Sequence, residues 1–156
     1  TQPCTRKDYC HLIAAAAKKC TERNVQERCI EQEYIPGFFS DTEDIDVLAC
    51  AALGIVNGVG NGKFAPDKAI KREEAAAMLY RAAKVLGITE NSERLTFVDE
   101  RDISDWAKDA VAAVSAMQTA DGTMVMQGTG NHMFSPRGTY TREQSILTIY
   151  RLYRMK

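Results

Sequence analysis

Three arginines, Arg6, Arg72 and Arg142, each stand one residue into a stretch with helical character, behind Thr5, Lys71 and Thr141 respectively. A guanidinium is a planar fork suited to gripping a carboxylate with two parallel hydrogen bonds. The start of a helix carries free N–H groups and the positive end of the dipole, so it attracts anions and disfavours cations. An arginine planted there therefore calls for a negatively charged partner, either an acidic ligand or an Asp or Glu from a neighbouring unit. Glycine-rich loops precede two of the three: NGVGNGKFAP at 57–66 and QGTGNHMFSP at 127–136. Gly58, Gly60, Gly128 and Gly130 either let backbone amides approach a ligand or supply the positive φ of tight turns. Trp106, the single tryptophan, is either a platform for a sugar ring or a core residue.

Other chemistry finds little support. Phe-x-Pro follows Gly-x-Gly-Asn-Gly where a phosphate-binding loop needs Lys-Ser/Thr and a helix. Asp41-x-Glu43-Asp44-x-Asp46 lacks the glycine and distal glutamate of an EF-hand, so it reads as a solvated helix start and no metal is expected. His11 and His132 have no catalytic partner at a recognisable spacing, and Cys10 and His11, being adjacent, point apart on a helix. No catalytic constellation stands out, so no enzyme and no cofactor are expected. The cysteines fall at 4, 10, 20, 29 and 50, with no C-x-x-C pair. Cys20 and Cys29 could close a disulfide around residues 21–28, or all five could be reduced and buried.

The elements that must position these groups repeat. At an offset of 70, Gly58, Gly60, Asn61, Phe64, Pro66, Arg72, Glu73, Tyr80 and Arg81 recur as Gly128, Gly130, Asn131, Phe134, Pro136, Arg142, Glu143, Tyr150 and Arg151. Phe39-Ser-Asp41 and Phe97-Val-Asp99 lead into the two copies. They lie only 58 apart, so the second copy carries extra chain around Ala116 to Val125, with a turn at Asp121-Gly122. Thr5-Arg6-Lys7-Asp8 opens a third, partial copy. Apolar spacing predicts helices over 5–19, 71–86, 104–117 and 141–155, with a further short one over 21–33. Thr141-x-x-Gln144 reads as a capping box, and Ser104, Asp41 and Asp99 as N-caps. Phe64 and Phe134 belong to the core. The class is all-α.

Near-neutral charge, 20 basic against 21 acidic residues in 156, excludes a general nucleic-acid binder. The longest apolar runs, Leu12 to Ala17 and Val47 to Leu53, are too short to span a membrane. Thr1 in place of an initiating methionine is expected of a processed or excised chain. The expected organisation is one domain over 1–156, with a partial first motif and linker at 1–38, a second motif at 39–88 and a third at 89–156.

Phe-x-Asp, a helix, Leu53-Gly54-Ile55, the Gly-x-Gly-x-x-x-Phe-x-Pro loop and Arg-Glu opening a second helix together resemble the S-layer homology (SLH) domain. Lys71 departs from the family's threonine, Cys4 from its isoleucine, and the first-helix tryptophan occurs only at Trp106. The resemblance implies a pseudo-threefold helical bundle of such motifs, a non-catalytic module of secreted proteins at the bacterial cell surface. It also implies a wall partner, an acidic secondary cell-wall polysaccharide bearing a pyruvate ketal. Its expected contacts are Arg6, Arg72, Arg142, Gly58, Gly60, Gly128, Gly130 and Trp106. Two alternatives remain: a protein-interaction module, in which another protein segment completes the first motif over an apolar face around Leu12 and Ile13, or a structural repeat with no glycan ligand.

Overall fold

The computed structural model describes residues 2–21, 38–88 and 93–156, and the side chains of all of these except 20 and 21. Among them the α-helices are α1 (Arg6–Thr21), α2 (Ile45–Ala52), α3 (Arg72–Val85), α4 (Lys108–Ala116) and α5 (Arg142–Arg154). Two short 3-10 turns, Glu100–Asp102 and Asp105–Ala107, lead into α4. The described residues hold only isolated bridges between extended segments, so the all-α expectation stands. The predicted helix over 21–33 and the Cys20–Cys29 pair lie outside the described residues.

Helix starts follow local chemistry. Thr141 Oγ1 accepts the Gln144 N–H at 3.2 Å and Gln144 Oε1 accepts the Thr141 N–H at 3.0 Å, completing the predicted capping box. Thr5 and Asp8 form the same reciprocal pair at the start of α1. Lys71 has no acceptor to offer, so α3 keeps only the return half, Lys71 N–H to Glu74 Oε2 at 2.8 Å. Asp44 caps α2 through the amides of Asp46 and Val47, while Ser104 makes no side-chain cap bond at its own turn.

The three units close around an axis, and the backbone shows how. Cys4 N–H donates to Tyr140 O, Tyr140 N–H to Ile70 O, and Ile70 N–H to Cys4 O, a three-membered cycle at 2.9–3.1 Å. One layer out, Arg6 N–H donates to Lys68 O, Arg72 to Gly138 O and Arg142 to Gln2 O. Equivalent residues thus bond in the same sense from unit to unit, which is a pseudo-threefold bundle. The helices pack in the same order: α1 on α2, α3 on α4, and α1, α3 and α5 on one another. Alanine makes this possible. Ala75, Ala76, Ala82 and Ala83 of α3 are buried, and small side chains let helix backbones approach closely.

The proposed open face at Leu12 and Ile13 is filled. Ile13 is 2% exposed, Ala14 and Ala17 are buried, and Leu12 packs on the core. Cys4, Cys10 and Cys50 are buried free thiols. The hydrogen-bonding Cys10 thiol, together with burial, pushes the Cys50 pKa well up.

Candidate functional site

Each glycine loop is a hairpin pinned by an aspartate. Asn61-Gly62 and Asn131-His132 take positive φ at both turn positions (53° and 67°, 52° and 58°), the geometry that tight hairpins favour. Asp41 and Asp99 do not cap helices. Their carboxylates reach across to the ends of the loops, Asp41 accepting Phe64 N–H and Ala65 N–H at 2.8 Å each, and Asp99 accepting Phe134 N–H at 2.8 Å and Ser135 N–H at 2.7 Å. Ala65 and Ser135 are held at φ 57° and 58° by this clamp. The donated amides lower the Asp41 pKa.

The glycines divide between the two readings of them. Gly60 and Gly130 sit at φ 106° and 110°, where only glycine is at ease. Gly58 and Gly128 are required by close approach instead. A Cβ on Gly58 would lie 2.7 Å from Lys63 O, and one on Gly128 would lie 2.5 Å from Met133 O.

The arginines meet these loops across unit boundaries. Arg6 Nε donates to Phe64 O and one terminal nitrogen to Asn57 O, both at 2.9 Å, while its guanidinium lies 4.6 Å from the Phe64 ring centre. Arg72 repeats this with Phe134 O at 2.8 Å and Gln127 O at 2.6 Å, stacked at 4.9 Å on Phe134 and 5.4 Å on Tyr140. It is 4% exposed. Two of the three forks also reach the third helical position of the next unit. Arg6 pairs there with Glu74 and Arg142 with Asp8, both at 3.1 Å, whereas the equivalent residue for Arg72 is the neutral Gln144. Arg142 finds no loop carbonyls among the described residues. The neighbouring-unit acid therefore accounts for two of the three arginines, and backbone carbonyls for the third.

A groove of about 420 Å³ opens in the second unit, bordered by Arg6 of the first and Trp106 of the third. Arg6, Asn57, Gly58 and Val59 form one wall, Glu74, Ala77, Met78 and Arg81 of α3 the other, and Trp106 stands at the rim, 57% exposed. Of the expected contact residues, the structure thus gathers Arg6, Gly58 and Trp106 into one place. Gly60 turns the adjoining hairpin, Arg72, Gly128 and Gly130 build the second junction, and Arg142 lies on the opposite edge. Arg81 and Glu74 were not among the expected residues. Arg81 is half-buried, has no side-chain partner among the described residues, and has its pKa lowered by burial. Its signal was present, since Tyr80-Arg81 recurs at Tyr150-Arg151, but nothing in the spacing placed it opposite the glycine loop of its own motif.

With Arg6 neutralised by Glu74, Arg81 leaves the groove with net positive charge and an unspent guanidinium. Trp106 adds an aromatic face of the kind that stacks on carbohydrate rings. His11 Nε2 lies 2.8 Å from Asp44 Oδ2, with Asp46 close by. The Asp44 cap and the His11–Asp44 hydrogen bond account for that cluster.

The S-layer homology domain family matches residues 40–76, which span the Asp41 clamp, α2, the first glycine loop and the start of α3. An amylopullulanase of Thermoanaerobacterium thermosulfurigenes is 33% identical over 130 residues, 79% of this chain and 7% of that protein. Exoglucanase XynX of Acetivibrio thermocellus is 32% identical over 130 residues, 79% of this chain and 11% of that protein. A surface layer protein of Brevibacillus choshinensis is 31% identical over 104 residues, 64% of this chain and 8% of that protein. The chain therefore spans only about a tenth of the length of these relatives. No helix of the described residues is long and apolar enough to cross a membrane. From both the family match and the repeated architecture, this chain carries an S-layer homology domain.

Proposed function

We propose that residues 1–156 act as one non-catalytic anchoring domain, holding its parent protein to the bacterial cell surface by binding an acidic secondary cell-wall polysaccharide. The observation that carries this reading is the groove of the second unit, with the uncommitted Arg81, the loop at Asn57–Val59 and the exposed Trp106 of the third unit converging on it. An acidic sugar, such as one bearing a pyruvate ketal, would set its carboxylate against Arg81 and its ring against Trp106. Gly58 keeps the loop low enough for the ligand to pass. Arg6 orients the wall through its two carbonyl bonds and its pair with Glu74. Arg72, with Gly128 and Gly130, holds the second junction.

Relatives that are a surface layer protein and polysaccharide-degrading enzymes support a detachable surface anchor joined to varied partners. The test is sedimentation with purified wall sacculi. Arg81→Ala should weaken co-sedimentation roughly 10-fold or more, the worth of one charge-assisted contact, with the melting temperature unchanged. Sacculi stripped of their acidic polymer should bind neither protein. Equal sedimentation of wild type and Arg81→Ala would reject the site.

A further inference from the structure

Cys10 on α1 and Cys50 on α2 face one another across the junction of the first and second units. Both are fully buried and carry free thiols. The two thiols hydrogen-bond to each other, and Cys50 Sγ lies 4.0 Å from Cys10 O. The helices that carry them are held in register. His11 Nε2 sits 2.8 Å from Asp44 Oδ2 on one side, and Ile13, Val47 and Ala51 belong to the same buried core. The repeat supplies its own comparison. α2 and α4 end alike, Leu53 N–H donating to Ala49 O and Met117 N–H to Ala113 O, which sets Cys50 level with Val114. The helix-start arginines Arg6 and Arg72 set Cys10 level with Ala76. Ala76 and Val114 are also completely buried, so the next pair of helices fills these places without sulfur. Packing alone does not call for a thiol here, yet both sides of the first junction carry one.

We propose that Cys10 and Cys50 form a cross-linking site, oxidised to a disulfide that staples the first unit to the second. The inference goes beyond glycan binding and does not rest on it. The oxidant is itself a disulfide, RSSR, borne by a small thiol or by an oxidoreductase of the kind met outside the reducing cell interior. The thiolate of one cysteine attacks RSSR, bonds to one sulfur and expels RS⁻. The thiolate of the other attacks that protein sulfur, forms the Cys10–Cys50 bond and expels the second RS⁻. The two thiol protons end on the two RS⁻ groups, and the two electrons lost by the cysteines are gained by RSSR. In the closed junction no reagent reaches either sulfur, and the Cys10 contact with burial keeps the Cys50 thiol protonated. Exchange therefore runs while α1 and α2 are still docking, and closure buries the finished bond. Arg6 lies one helical turn before Cys10, and the loop at Asn57–Val59 follows α2. The staple thus ties together two borders of the groove that come from different units.

The test refolds the reduced full chain in a mixture of glutathione and glutathione disulfide, then alkylates the remaining thiols. Cleavage after Lys, Arg and Glu places all five cysteines on separate peptides, and mass spectrometry without reduction reads their linkage. The expected product joins the Cys10 and Cys50 peptides, two hydrogens lighter than their sum. Closing a loop of about 40 residues should raise the melting temperature by about 5–10 °C over the reduced chain, a gain that a reductant removes. Cys10→Ala with Cys50→Val, the pair that α3 and α4 use, should melt within about 2 °C of the reduced wild type in either buffer. Cys10 and Cys50 recovered alkylated, glutathionylated, or joined to Cys4, Cys20 or Cys29 would overturn the proposal, whether or not the double variant folds. So would an oxidation-dependent rise in melting temperature that persists in the double variant.

Discussion

Arg72 and Arg142 occupy equivalent positions in the repeat, yet replacing each by alanine should have very different consequences. Arg72→Ala removes two hydrogen bonds from a charged donor, to Phe134 O and Gln127 O, and a guanidinium sandwiched against Phe134 and Tyr140. Hydrogen bonds to charged groups are worth about 1.5–3 kcal/mol each, and a desolvated cation–π contact adds about 1–2 kcal/mol. These terms share one side chain and do not add fully, so a loss of about 3–5 kcal/mol is expected. For a chain of this size that lowers the melting temperature by about 10 °C. Arg142 keeps only an ion pair with Asp8, its side chain 54% exposed, and a pair of that sort contributes at most about 1 kcal/mol. Differential scanning calorimetry of the two variants, supported by urea melts, separates the cases. Arg72→Lys keeps the charge without the fork and should recover less than half of the loss. An Arg72→Ala protein melting within about 2 °C of wild type would refute the idea that this arginine locks the second unit to the third. So would an equal loss in Arg142→Ala.

Further outcomes follow from the same geometry. Asp99→Ala strips the acceptor from the Phe134 and Ser135 amides and should cost about 2–4 kcal/mol, read by urea denaturation. His132→Gly relieves a left-handed residue where the other loop has Gly62, and should raise stability by about 0.5–1 kcal/mol in the same assay. Asp8, Asp41, Asp44 and Asp121 all have pKa values lowered in the folded chain. The folded state therefore binds fewer protons than the unfolded one in mild acid. Their contribution is complete above the ordinary carboxylate pKa near about 4 and is lost as pH falls below it, so melting temperatures should drop steeply from about pH 5 to pH 3. For Asp44, burial opposes the shift, and the His11 contact and the Val47 and Asp46 amides outweigh it. Asp44→Asn should flatten part of that slope. The thiols of Cys4, Cys10 and Cys50 should react with a disulfide reagent only once the chain unfolds.

Much of the fold was legible because a repeat imposes one pattern on independent stretches. The helices at α1, α3 and α5 and the capping box at Thr141 follow from spacing and cap chemistry. The roles of Asp41 and Asp99 did not, because a carboxylate before a helix looks like a cap, and here it bonds to amides 23 to 36 residues away. The arginines were read as waiting for an acid. Their position was right, but the partners include carbonyls from the next unit, which no local pattern reveals. An open surface was expected on α1 and is filled there, because the second helices α1 and α3 are covered by the first helices of the following units, α2 and α4. That order becomes visible only when the hydrogen-bond cycle is traced. Arg81 entered the site because α3 folds back beside the loop of its own motif, while Arg6 and Trp106 arrive from the other two, and no apolar spacing shows that.

Trp106 is the single tryptophan, and it stands at the rim of the groove, so its fluorescence reports occupancy of that site directly. Titration of the protein with the purified acidic wall polysaccharide should shift and quench Trp106 emission saturably, and Arg81→Ala should move the midpoint about 10-fold higher. Polymer that binds by sedimentation while leaving Trp106 emission unchanged, or that binds Arg81→Ala as tightly as wild type, would contradict the assignment of the anchor to this groove.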